Sequence, residues 1–209
     1  MRPAFKLPLL LFVIFTLANG LTKCHAQSYA DSIHDYREKY KNEFLTEERS
    51  PIQDEENLKL MQFYPPDESY RMVASFTKAK DTEPFDLPTM NGKTKPYLLY
   101  GTIYFDVQQK RCTLNLYQSI RHMNSPDYDG ELFLPFTDET NDEETYASGR
   151  YLNLNLRDIV DGKMVVDFNL CYNPYCAYSS GYSCPRPPEE NRLGVRLEAG
   201  EKKYLGKYH

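Results

Sequence analysis

Between residues 28 and 46, apolar and aromatic positions recur near helical spacing. They are Tyr29, Ile33, Tyr36, Tyr40, Phe44 and Leu45, with charged residues between them. The pattern predicts one amphipathic helix. Ser50-Pro51 ends it, because the residue before a proline avoids the helical region. Residues 54–63 (DEENLKLMQF) predict a short second helix with Asp54 as its N-cap, closed by Pro65-Pro66. From residue 69 onward the period becomes two, and strands are predicted at 69–77, 97–106, 111–118, 131–136, 151–156, 164–171 and 193–199. In the second of these, Tyr97, Leu99, Gly101, Ile103 and Phe105 share one face and Leu98, Tyr100, Thr102 and Tyr104 the other. Both faces are largely apolar or aromatic, as suits a strand covered on both sides. Gln108-Gln109-Lys110 makes a tight hairpin to the third strand, whose Cys112, Leu114 and Leu116 share a face.

Short strands separated by turn residues, with no helices between them, predict a mainly-β fold: an antiparallel barrel-like or sandwich sheet carrying an N-terminal helix. The expected geometry is a sheet closed, or nearly closed, into a barrel. Neither a repeat nor a low-complexity linker interrupts residues 27–209, so a single domain is expected there.

Ahead of that domain, residues 1–26 read as an export signal. Arg2 and Lys6 form a positive start, Leu7 to Leu17 an apolar core, and Cys24 and Ala26 the small residues before a cut at Gln27. The core is shorter than the roughly 20 residues that span a bilayer, so no stable membrane insertion is expected after cleavage. Lipidation at Cys24 is disfavoured by Lys23, where a small residue is wanted. The expected location is periplasmic or extracellular, an oxidising setting in which disulfides persist.

Charge narrows the partners. Removing Arg2, Lys6 and Lys23 with the leader takes the 25 basic residues to 22 against 30 acidic ones, a net charge near −8. With no basic run of five anywhere in the chain, the phosphate neutralisation that drives nucleic-acid binding has no footing. No phosphate loop, dinucleotide fingerprint, hydrolase elbow or zincin motif is present, so no cofactor is expected. The cysteine spacings after residue 26 match no zinc finger, and no metal site is expected.

Two stretches hold the candidate chemistry. Asp138 to Arg150 (DETNDEETYASGR) carries five carboxylates, but Glu143 and Gly149 stand where a calcium loop needs its glycine and its bidentate glutamate. The second stretch, Asp167 to Arg192, begins on an apolar strand that carries Asp167 and Asn169. It continues as a loop of more than 15 residues containing Tyr172, Tyr175, Tyr178 and Tyr182. Loops that long are usually functional or pinned. A Cys176–Cys184 bridge would close about nine residues of it, contributing roughly 2.6 kcal/mol in the chain-entropy model. Asp167 on an apolar strand needs a cation or several donors. Arg150 opens the neighbouring strand and offers a five-donor fork. The expected polar cluster, binding or structural, is Glu144, Arg150, Asp167, Asn169, Tyr172, Asn173, Tyr178, Glu190 and Asn191.

The segments PFTDETNDEETYASGRYL (135–152), VDFNLCYNPYCAYSSGYSCPRPPEENRL (166–193) and AGEKKY (199–204) resemble the family named domain of unknown function 1684, over residues 36 to 204 or so. The resemblance carries over onto Thr140, Glu144, Thr145, Tyr146, Gly149, Arg150, Asp167, Asn169, Tyr172, Asn173, Cys176, Tyr178, Cys184, Pro187, Pro188, Asn191, Glu198, Gly200 and Glu201. Asp142 and Cys171 depart from the family pattern, which has glycine and alanine there. The family implies no activity, substrate or cofactor. Three functional readings follow. The leading one is a β domain binding a small or extended polar ligand without catalysis. The second is a hydrolase-like enzyme using Glu144 and Asp167 as acid and base beside Arg150. The third is a structural or interaction module.

Overall fold

The computed structural model describes residues 27–123 and 125–208; the leader lies outside them. Helix α1 spans Tyr29–Thr46 and starts at a capping box, in which Ser28 Oγ accepts from the Asp31 N–H while the Asp31 carboxylate accepts from the Ser28 N–H. A single further turn, α2, spans Glu55–Leu58 behind the Asp54 cap, shorter than the expected 54–63. The strands are β1 (Arg71–Lys78), β2 (Phe85–Pro88), β3 (Thr94–Val107), β4 (Lys110–Ser119), β5 (Glu131–Phe136), β6 (Arg150–Asn155) and β7 (Lys163–Asp167). Every pairing is antiparallel, in the order β6-β5-β4-β3-β1-β7, with β2 also on β3. The sheet curls into a half-barrel whose two edges, β6 and β7, are joined in sequence but do not pair.

The structure corrects the predicted elements in four places. Strand β2 was not predicted, because Pro84 and Pro88 break its pattern; it survives as a short edge strand, the position that tolerates proline. Strand β7 stops at Asp167 instead of 171. There the Asp167 carboxylate accepts from the Asn169 N–H and turns the chain into a 3-10 turn at Phe168–Leu170. Residues 193–199 alternate as expected, with Leu193, Val195, Leu197 and Ala199 buried, yet they join no sheet. The fourth correction is in β3, where the register shifts between Leu99 and Gly101. This bulge sends Ile103 and Phe105 to one face and Tyr97 and Leu99 to the other, so the single face expected for these residues is split.

That split builds the layers. The inner face buries Ile103, Leu114, Leu134, Phe136 and Val166, and the extended segment Leu193 to Ala199 fills the concavity. On the outer face, Tyr97, Tyr117, Phe133 and Tyr151 are covered by the loop carrying Cys176 and Cys184. Helix α1 then packs on that loop, with Phe44 against Tyr175 and Tyr178. Each fully buried large apolar side chain contributes about 1.5–3 kcal/mol.

Candidate functional site

Arg150 lies at the inner end of β6 with no solvent exposure. Its partner is Asp138, not the expected Asp167: Nη2 donates to Asp138 Oδ2 at 2.7 Å, with both side chains wholly buried. The same guanidinium donates to the carbonyls of Leu197, Ala199 and Glu201. The other Asp138 oxygen accepts from the Thr140 N–H, the Thr140 hydroxyl and the Leu197 N–H. Segment 193–201 is therefore held by this fork and its carboxylate together with single backbone bonds, among them Leu193 N–H to the Thr137 carbonyl, Glu139 N–H to the Val195 carbonyl and Glu201 N–H to the Cys171 carbonyl, in place of a continuous ladder.

Glu201 is, with Asp138, a buried carboxylate absent from the expected cluster. Its Oε1 accepts from the Tyr178 hydroxyl at 2.5 Å, and its Oε2 from the Asn173 N–H at 2.8 Å and the Tyr40 hydroxyl at 3.3 Å. Burial pushes its carboxyl up to about 7, against these three donors that favour the charged form. Asn173 also donates to the Lys202 carbonyl. Gly200 brings the chain into place at φ 73; a methyl there would sit 2.3 Å from Cys171 Sγ. The signal for Glu201 was its position in AGEKKY, next to a glycine.

Asp167 forms a separate network. Its carboxylate accepts from the Tyr29 hydroxyl at 2.9 Å and from the Asn169 N–H and amide at 3.0 Å, with Arg71 Nε 4.0 Å away. Asn169 pairs with both backbone groups of Asp67. Asn191 is wedged between β4 and β5, donating to the carbonyls of Asn115 and Pro135 and accepting from the Asn115 N–H. It supplies what Pro135, lacking an N–H, cannot. Glu144 sits near the surface with Arg196, Lys202 and Tyr64. Burial would raise its carboxyl, but hydrogen bonds from Tyr64 and Lys202 and the cations of Lys202 and Arg196 hold it below the ordinary range. Glu190 is exposed. The nine residues thus fall into distinct networks: Asn173 and Tyr178 meet at the Glu201 carboxylate and Arg150 at the Glu201 carbonyl, Asp167 meets Asn169, and Glu144, Tyr172, Glu190 and Asn191 stand apart from these. Tyr172 donates to Asn153 on β6. Glu144 and Asp167, the expected acid and base, belong to different networks.

The four described cysteines are buried free thiols, so the expected Cys176–Cys184 disulfide is not formed in this structure. Cys184 Sγ instead accepts from the Cys176 N–H, and Cys176 Sγ donates to the Tyr182 carbonyl. Among the described residues, no group of three or more His, Cys, Asp or Glu side chains is placed to hold a metal ion, and no helix is long and apolar enough to cross a membrane.

An open cleft of about 770 Å³ lies between the unpaired edges β6 and β7. Leu152, Asn153, Leu154 and Asn155 form one wall, and Arg71, Val165, Asp167 and Leu170 the other. Arg157, Asp158 and Val160 from the connecting turn, with Asp127, Tyr128, Asp129 and Glu131 ahead of and at the start of β5, complete it. Arg157 is tied to Asp129. Glu131 is half-buried, and burial alone pushes its carboxyl above the ordinary range. Asp167 is the one residue of the expected cluster that lines this cleft. Sequence reading missed the cleft because it follows from two strands that fail to pair.

A half-barrel of antiparallel strands filled by its own C-terminal segment defines the class of this protein. The chain belongs to the family described as Protein of unknown function (DUF1684), whose model matches residues 56–202. It is also similar to the solution NMR structure of the uncharacterised protein from gene locus rrnAC0354 of Haloarcula marismortui. The two share 35% identity with a TM-score of 0.65, over 84% of this chain and 95% of the other. No curated protein matches the chain.

Proposed function

We propose that this domain binds a polar ligand in the cleft between β6 and β7 and performs no chemistry on it. The observation that carries this reading is Glu131. Its carboxylate is half-buried at the cleft, and among the described residues no hydrogen bond or ion pair engages it. Desolvating a carboxylate without a donor is costly, and a ligand's donor would offset that cost. The cleft volume falls within the range of small-molecule sites, about 300–1,000 Å³. The separation of Glu144 from Asp167 supports binding without acid–base catalysis.

A thermal-shift screen of polar compounds against the protein tests the reading. A ligand present at 100 times its Kd stabilises the protein by about 2.7 kcal/mol. The Glu131→Gln variant should be at least as stable as the original protein, because a neutral amide costs less to desolvate than a carboxylate, and should lose the shift. Ligands that shift the variant as strongly as the original protein would place binding elsewhere and sink the reading.

The proposal includes export, supported by the charged start, the apolar core and the small residues Cys24 and Ala26. N-terminal sequencing of protein recovered from outside the cytoplasm should begin at Gln27. An intact leader on that protein would overturn this part.

A further inference from the structure

We propose that the cleft takes an extended, basic peptide segment that adds as a strand between β6 and β7; this rests on the cleft being the binding site. The argument starts from backbone hydrogen bonds. Tyr151 exchanges both of its backbone bonds with Tyr172, so its N–H and C=O point away from β5. In an antiparallel strand this direction repeats at every second residue, so the N–H and C=O of Asn153 point the same way, into the cleft. On β7, Lys163 exchanges its two bonds with Val160, while the Gly162 carbonyl accepts from Phe76 on β1. By the same alternation, the N–H and C=O of Val165 face away from β1. Asn153 and Val165 both line the cleft, and no backbone hydrogen bond to either side of it is made by these two residues among those described. Two half-ladders therefore face a common space. Open strand edges are templates for another strand, and natural sheets usually block them. Here Tyr172 covers the β6 edge at Tyr151 and Val160 the β7 edge at Lys163, and the stretches at Asn153 and Val165 are left open.

Charge selects the occupant. The cleft is lined by five carboxylates and two guanidiniums. Arg157 is held by Asp129, and Arg71 lies 4.0 Å from Asp167. Asp127, Glu131 and Asp158 remain without a cation among the described residues. Leu152, Leu154 and Leu170 supply an apolar floor. An extended peptide that alternates apolar and basic side chains matches both features, because strand side chains point alternately to opposite faces. Recognition by strand addition takes affinity from the main chain and specificity from alternate side-chain pockets.

The test uses a capped hexapeptide alternating lysine and valine, with a glutamate–valine counterpart. The basic peptide should raise the melting temperature with increasing dose and slow hydrogen exchange at the Asn153 and Val165 amides at least tenfold. The acidic peptide should do neither. Val165→Pro removes only the cleft-facing N–H, at an edge position where proline is tolerated. This variant, shown to be folded by circular dichroism, should lose the response to the basic peptide. Equal binding of both peptides, no binding, or binding that leaves the two amides unprotected would each overturn the inference. So would protection that grows with protein concentration alone, which identifies a second copy as the occupant, or protection that requires the residues before Gln27. A screen that finds another ligand lost in Glu131→Gln, while both peptides fail, would remove the peptide and leave the binding reading standing.

Discussion

Replacing Arg150 with methionine is expected to lower the unfolding free energy by about 3–5 kcal/mol, the usual loss when one partner of a buried ion pair is removed. The variant strands the Asp138 carboxylate at zero exposure and frees the carbonyls of Leu197, Ala199 and Glu201, which the guanidinium holds. Those carbonyls belong to the segment that fills the half-barrel, so the loss extends to the burial of Leu197 and Ala199. Arg150→Lys should rescue little, because a single ammonium cannot span four acceptors held in a planar fork. Denaturant unfolding of the two variants measures both effects. Adding Asp138→Asn to Arg150→Met should recover part of the loss, since the uncompensated charge is then gone. A single-variant loss below about 1 kcal/mol, the scale of an exposed pair, would show that this network does not hold the C-terminal segment.

Glu201 is expected to give the protein an inverted pH dependence over a defined window. Its carboxyl stands near 7 in the folded protein because it is buried, against an ordinary value of about 4.3 in the unfolded chain. The folded state therefore binds the proton more tightly between these two values. Stability is full below the ordinary range and falls as pH rises through about 7. At about 1.4 kcal/mol per unit, the loss is on the order of 4 kcal/mol. Glu201→Gln keeps an acceptor for Tyr178 or Asn173 and removes the titration. Melting temperatures of both proteins at pH 5 and pH 8 isolate this group from every other titrating residue. The variant should gain on the original protein at pH 8 relative to pH 5. Parallel profiles would mean that the donors Tyr178, Asn173 and Tyr40 hold Glu201 at its ordinary value.

Both predictions concern residues whose types were visible in the sequence and whose partners were not. Asp167 on an apolar strand and Arg150 opening another read as a pair, and burial did demand a partner for each. Asp167 found donors within two residues and across to Tyr29. Arg150 found Asp138, twelve residues upstream across a turn. Both solutions satisfy the same rule that buried charge must be compensated, and only the path of the chain distinguishes them. The long tyrosine-rich loop shows the same limit. Its length read as functional or pinned; the structure lays Cys176 and Cys184 on the outer sheet face and buries Tyr178 against Phe44 and Glu201. The cleft itself left no motif, because unpaired edges are a property of two strands at once.

Period determined what period can reach. Helical spacing located α1, alternation located most of the strands of an antiparallel sheet, and three stretches of side chains carried the resemblance to the family whose model matches residues 56–202. These are local properties, set by which side chains must leave water together. The tertiary structure alone decided that β6 and β7 stay apart and that residues 193–201 fill the concavity through Arg150 instead of joining the sheet. It alone split β3 between two cores at one bulge. The reason is physical. Alternation says that a residue faces an apolar layer but not which layer, and an extended backbone can satisfy its carbonyls with a guanidinium and an N–H with a carboxylate as well as with a neighbouring strand.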